Sequence, residues 1–264
     1  MLPILYHSPL FTITSWQLFF CIGASVCFLL LWQQTSKLPH LKLHSQLFAF
    51  FASCYLSMIM GARIGGILES GEYIQSERFF SLLLHSGPMS SVGGILGVCL
   101  AGWLFCRRHP QLRTEAFHLG APAGLCAIAI GRIGCFLNGD DYGIPVISST
   151  DTNIPWWAVA FPNHPGPEIY RVPVQLIESA SVGLLACWIY ARGGWNKPIH
   201  KRNGVLAVLG YASIRFFTEF LRGDPRGWFV PNQVSLGQGS ALFTIFITII
   251  LARRTKVKRT TTHA

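Results

Sequence analysis

Residues 10–32 read LFTITSWQLFFCIGASVCFLLLW, 23 consecutive positions without a charge. A helix crosses the hydrocarbon core of a bilayer in about 20 residues. Lipid leaves such a segment few alternatives, because each backbone N–H and C=O must find its partner within the segment itself. Val234–Ala252 supplies a second charge-free run, of 19 residues. Five weaker apolar windows lie between them: Leu47–Leu68, Met89–Cys106, Ala116–Leu137, Val172–Ala191 and Gly204–Leu221. The expectation is an all-α integral membrane protein of seven transmembrane helices, a single polytopic domain over residues 1–264. The first run is read as a retained helix. No basic stretch precedes it, and it is longer than the roughly 7–15-residue apolar core of a signal peptide.

The chain is 51% hydrophobic and only 12% charged, where a soluble domain carries about 25% charge. Its net charge of +10 would suit a nucleic-acid partner if it were spread over one surface, and it is not. Lys37 and Lys42 follow the first window, and Arg107, Arg108 and Arg113 follow the third. Arg192, Lys197, Lys201 and Arg202 follow the fifth, and Arg253, Arg254, Lys256, Lys258 and Arg259 the last. These 14 of the 21 basic residues occupy alternate loops, so the positive-inside rule places the N-terminus outside and the C-terminus in the cytoplasm. The basic tail reads as an anchor at anionic lipid heads, and no nucleic acid is expected as a partner.

The longest stretch between windows, residues 138–171, then falls outside, between helices 4 and 5. Its prolines and the aromatic residues Trp156, Trp157 and Tyr170 predict an ordered periplasmic cap with interfacial aromatics, not a strand-rich domain. Residues 65–88, with Glu69, Glu72, Glu77 and Arg78, fit an interfacial amphipathic helix or a plain surface loop equally well. The eight cysteines fall almost entirely inside apolar windows without metal-ligand spacing, as small buried hydrophobes do. No metal and no cofactor is expected.

Within this apolar frame, residues 131–143, GRIGCFLNGDDYG, set Arg132 at the end of the run Ala121–Ile130, with Asn138, Asp140 and Asp141 close behind. A charge at mid-bilayer costs about 2.5–3.5 kcal/mol on insertion scales, which marks Arg132 as a functional-site candidate. Charges also enter the windows at Arg63, Glu178, Arg215, Glu219 and Arg222. Positions 215, 219 and 222 lie on one helix face. With the N-terminus outside, four arginines and two glutamates converge on the outer half of the bundle. Pairing Glu178 and Glu219 with one arginine each leaves two positive charges over. Guanidinium is the fork-shaped donor that suits phosphate oxygens, and a phospholipid phosphate is the anion most at hand. The glycines of GARIGG (61–66) and VGGILG (92–97) serve either close helix packing or a backbone approach to a ligand.

These stretches resemble a known family. GRIGCFLNGDDYG is similar to the hallmark of the prolipoprotein diacylglyceryl transferases, Gly-Arg-x-Gly-Asn-Phe-x-Asn-x-Glu-x-x-Gly. In order along the chain, GARIG (61–65), MSSVGGILG (89–97), PVQLIES (173–179), RFFTEFLRGD (215–224) and VSLGQ (234–238) resemble the family's other motifs. The resemblance implies a seven-helix protein of the bacterial inner membrane. Such a protein moves diacylglyceryl from phosphatidylglycerol to the lipobox cysteine thiol in a prolipoprotein signal peptide and releases glycerol phosphate, here taken to act as a monomer. It further implies that Arg132 and Arg215 bind the phosphate, with Asn138 and Gly143 lining the site; Arg63 from the charge pattern, and Gly93 and Gly94 from the glycine pattern, join them as substrate-binding candidates. Glu219 and Arg222 become a supporting ion pair, and Gln175 and Glu178 the polar face of helix 5.

The chain departs from the family where the thiol is activated. The family's histidine before the double glycine is Val92, its first hallmark asparagine is Cys135, and its glutamate is Asp140. Trp16 stands in place of a tyrosine motif, and His118 in place of an acidic residue. Two readings stay open. In one the transferase is active, and either Asp140 or His85 takes the thiol proton or the arginines alone lower the thiol pKa. In the other the chain is a divergent paralogue that binds anionic phospholipid or modifies another acceptor.

Overall fold

The computed structural model describes residues 2–7, 12–36, 41–70, 91–148, 153–161, 169–193, 202–224, 228–230 and 233–260. Each apolar window holds a helix: α1 (Ser15–Thr35), α2 (Leu41–Ser70), α3 (Ser91–Arg108), α4 (Arg113–Asn138), α5 (Val174–Gly193), α6 (Asn203–Thr218) and α7 (Leu236–Thr260). A 3-10 turn, Glu219–Leu221, prolongs α6. Six of these helices are long and apolar enough to cross a membrane. The remaining one, α3, has 18 residues and closes on Arg107 and Arg108.

Helix α1 starts later than the charge-free run. Thr12–Thr14 is instead strand β2, paired antiparallel with β1 (Ile4–His7). Thr14 then caps the helix: its hydroxyl accepts from the Gln17 N–H at 3.2 Å, and Gln17 Oε1 accepts from the Thr14 N–H at 2.9 Å. Absence of charge cannot locate a helix start, whereas this reciprocal capping box does.

Helix α4 is the hub, packed against α1, α5 and α6; α7 leans on α6, and α2 pairs with α3. Contacts of Gly23 with Ala127 and of Gly134 with Phe19 set an antiparallel register between α1 and α4. A β-carbon on Gly134 would stand 2.7 Å from Phe19 Cβ, and one on Gly61 would stand 2.3 Å from the Gly93 carbonyl oxygen. Small residues therefore let these backbones touch. Leu125, Ala129, Val182, Ala186, Ile189 and Ala207 form a buried seam among α4, α5 and α6. The outward faces carry large apolar residues such as Leu184, Phe243 and Phe246, a distribution suited to lipid, not water.

The segment after α4 holds a small sheet that the expectation of an ordered segment with interfacial aromatics did not specify. Strands β3 (Pro145–Ser148), β4 (Val159–Ala160) and β5 (Ile169–Arg171) form an antiparallel sheet in the order β3-β5-β4. Val146, Ile147, Val159, Ile169 and Tyr170 have the branched and aromatic side chains that favour a pleated surface. A last hairpin, β6 (Trp228–Val230) with β7 (Val234–Ser235), leads into α7. Most of 65–88, including His85, lies outside the described residues.

Candidate functional site

Helix α4 ends at Asn138 because Gly139 takes a left-handed φ of 91° and its N–H returns to the Cys135 carbonyl at 2.9 Å. Asp141 follows at φ 57°, the single non-glycine with positive φ among the described residues. That conformation is unfavourable for most side chains and is tolerated best by Asp and Asn. It brings one Asp141 carboxylate oxygen to Arg132 of α4 and the other to Arg222, just past α6.

The loop is fastened on both sides. Gly143 forms a β-bridge with Arg222, the Ile144 N–H donates to Leu221 O at 2.9 Å, and the Gly223 N–H donates to Tyr142 O at 3.0 Å. A β-carbon on Gly143 would meet Val172 O at 2.2 Å, so glycine is needed for three backbone segments to meet. The Arg171 guanidinium lies 4.7 Å above the centre of the Tyr142 ring.

From Asp141 the charges alternate. Arg132 Nη2 lies 3.0 Å from Glu178 Oε2 on α5; Arg215 Nη1 lies 3.5 Å from the same oxygen, and Arg215 Nη2 lies 2.7 Å from Glu219 Oε2. Ser235 Oγ donates to Glu219 Oε1 at 2.8 Å. At the other end, Arg222 grips Asp224 through Nε and Nη2, at 2.8 and 2.6 Å. The order Asp224–Arg222–Asp141–Arg132–Glu178–Arg215–Glu219 thus links α4, α5, α6 and the entry to α7. Glu178 and Glu219 are 2% exposed, Asp141 31%. Charges this buried persist only when paired.

This corrects the surplus of two positive charges. Asp141 and Asp224, left out of that count, bring four carboxylates against Arg132, Arg215 and Arg222. Burial alone would raise the Asp141 carboxyl, but the guanidiniums of Arg132 and Arg222 overcome it and hold that group below the ordinary carboxylate range. Hydrogen-bonding capacity remains at the deep end. Among the described residues, Arg215 Nη1, Glu178 Oε1 and Gln175 Oε1 are buried without a hydrogen-bond partner. These atoms keep hydrogen-bonding capacity for a further partner.

The other expected residues are distributed around this chain. Asn138 Nδ2 donates to the Asp140 carboxylate, and Gln175 Nε2 donates to the Asp140 backbone oxygen at 2.6 Å. The exposed Asp140 side chain thus holds Asn138, and its neighbour faces the arginines. Gly93 is used in the α2–α3 contact, and Gly94 touches Ala62 at ordinary distance. Arg63 is half-buried on α2, apart from the ion pairs just given. His118 sits near the opposite end of α4, accepting the Gly204 N–H at 3.1 Å. Four positions were given no role by the sequence: Asp141, named only as a neighbour of Arg132, and Asp224, Ser235 and Gly237, which occur only inside quoted motifs. Ser235 and Gln238 form a capping box at the start of α7. Its Ser-x-x-Gln spacing was a usable signal.

A family model described as prolipoprotein diacylglyceryl transferase matches residues 3–254. The chain is similar to the phosphatidylglycerol–prolipoprotein diacylglyceryl transferase of Aromatoleum aromaticum, 33% identical over 199 residues, 70% of this chain and 67% of that one. The protein of the same name from Pseudoalteromonas atlantica is 33% identical over 224 residues, 83% of this chain and 75% of the relative. That from Ehrlichia canis is 33% identical over 210 residues, 77% of each.

Proposed function

The chain belongs to the prolipoprotein diacylglyceryl transferase family, and we propose that it transfers diacylglyceryl from phosphatidylglycerol to the lipobox cysteine of prolipoproteins in the bacterial inner membrane. The observation that carries this reading is the buried file of alternating charges joining α4, α5 and α6 around Arg132 and Arg215. Seven spans, the N-terminus outside, a cytoplasmic C-terminus and a periplasmic cap over residues 138–171 complete the reading. The alternate placement of basic loops supports that topology.

The reaction makes one C–S bond and breaks one C–O bond. The cysteine thiol loses its proton, and the thiolate attacks the glyceryl carbon that carries the phosphate ester. The electron pair of the broken bond stays on the phosphate oxygen, which leaves as glycerol phosphate. Arg132 and Arg215 hold the phosphate, and guanidinium donors fixed by Glu178 and Glu219 need little reorganisation as charge arrives. Gln175 and Asn138 fix the Asp140 loop beside them. A thiolate brought beside either guanidinium is favoured over the thiol by that adjacent cation.

Purified protein in phosphatidylglycerol vesicles with a lipobox peptide should release glycerol phosphate and yield a diacylglyceryl thioether. Lipid binding with neither product would leave the divergent-paralogue reading standing.

A further inference from the structure

We propose that Asp141 is a placeholder for the departing phosphate: its carboxylate occupies, between Arg132 and Arg222, the position to which the phosphomonoester product shifts from the Arg132–Arg215 pair as it leaves. This rests on the transferase reading.

The charge balance within these ion pairs favours such an exchange. The seven groups of the file carry three positive and four negative charges. A cluster that is already net negative does not attract a further anion unless a carboxylate withdraws. During transfer the thiolate's charge passes to the phosphate, which turns from a monoanionic diester into a monoester carrying about −1.5 to −2 at neutral pH. The leaving group therefore needs more cation at the end of the step than at its start.

Only one carboxylate is placed to yield. Glu178 and Glu219 are 2% exposed and are held among helices α4 to α6. Asp224 binds Arg222 through two of its nitrogens, leaving the guanidinium in place when other partners go. Asp141 is 31% exposed, sits on a loop, and adopts φ 57°. Its two oxygens go to two different guanidiniums. That is also how two oxygens of a phosphate bridge a pair of arginines. When Asp141 swings out, Arg132 and Arg222 each expose a donor toward the same point; when it returns, it expels the product.

The placeholder predicts an unusual phenotype. Asp141→Asn keeps a residue that tolerates the left-handed backbone, and Asp141→Gly removes both carboxylate and strain. Each variant should melt below wild type without ligand, yet gain more melting temperature on addition of glycerol phosphate. Under turnover, glycerol phosphate should inhibit each variant at about tenfold lower concentration, with kcat reduced by slow release and KM for phosphatidylglycerol changed less than twofold. A purely supporting Asp141 would lose affinity for glycerol phosphate together with stability. An unchanged or smaller melting shift in both variants overturns the placeholder. If wild type shows no turnover, the transferase reading falls, while the larger melting shift of the variants, measured without turnover, still decides whether the Asp141 carboxylate gives way to a phosphomonoester.

Discussion

Gly237, at the start of α7, lies so close to Glu219 that a β-carbon there would stand 2.6 Å from Cδ and Oε1 of the carboxylate. Ser235 binds the same carboxylate at 2.8 Å, and Arg215 lies 2.7 Å from its second oxygen. The mouth of the last helix is thus shaped around the group that orients Arg215. Gly237→Ala should displace Glu219 and lower turnover at least tenfold while the protein stays folded, since a methyl at a helix start does not itself oppose helix formation. Turnover and melting temperature measured together test this; unimpaired turnover would detach α7 from the site.

Arg132 and Arg215 carry the second prediction. Arg132→Ala or Arg215→Ala should give an inserted protein that no longer turns over phosphatidylglycerol. Each also strands a buried carboxylate, a loss of about 3–5 kcal/mol when one partner of a buried pair is removed. The double change Arg132→Ala with Glu178→Gln should therefore recover melting temperature without recovering activity. Lysine at either position should rescue only partly, because an ammonium lacks the guanidinium fork. Full activity in either alanine variant would remove the phosphate site as drawn.

What the sequence made legible, and what it hid, divides along physical lines. Each helix was visible as an apolar window, and Arg132, Arg215, Arg222, Glu178 and Glu219 stood out because charge at membrane depth is costly. The choice between Asp140 and Asp141 was not visible. Two consecutive carboxylates look alike in a sequence, and only the left-handed turn at Asp141 decides which one meets the arginines. The link from Gly237 to Glu219 is a contact between two elements, which no local pattern encodes.

Acid should act on Asp141 in a defined window. Its carboxyl is held below the 3.8 of the ordinary group, so its bridge to Arg132 and Arg222 stabilises the fold above that value. The contribution is lost as pH falls through the lower, folded value. The gap in melting temperature between wild type and Asp141→Asn should stay constant from about pH 7 to pH 5 and close only below the ordinary carboxylate value. Closure nearer neutrality would mean that Asp141 is not the charged bridge.

Topology offers an independent check. A reporter fused after Thr255 should signal cytoplasm, and one inserted near Asn153 should signal the periplasm. The opposite pattern would overturn the assignment made from basic loops.

The last prediction concerns the base. The family's histidine position is Val92 on α3, and His85 is seven residues earlier. Asp140 is exposed and engaged with Asn138, which leaves the guanidiniums of Arg132 and Arg215 as the adjacent cations that can lower the pKa of an incoming thiol. If the arginines do this unaided, no single histidine is required. His85→Ala should then remain active, and the pH–rate profile should lack an essential group titrating near pH 6–7 on its acid side. Val92→His should leave the rate unchanged or raise it. Abolished turnover in His85→Ala with lipid binding intact, together with an acid limb in wild type, would assign the proton to His85 instead. Loss of turnover in a folded Val92→His would show that valine shapes the pocket for a different acceptor.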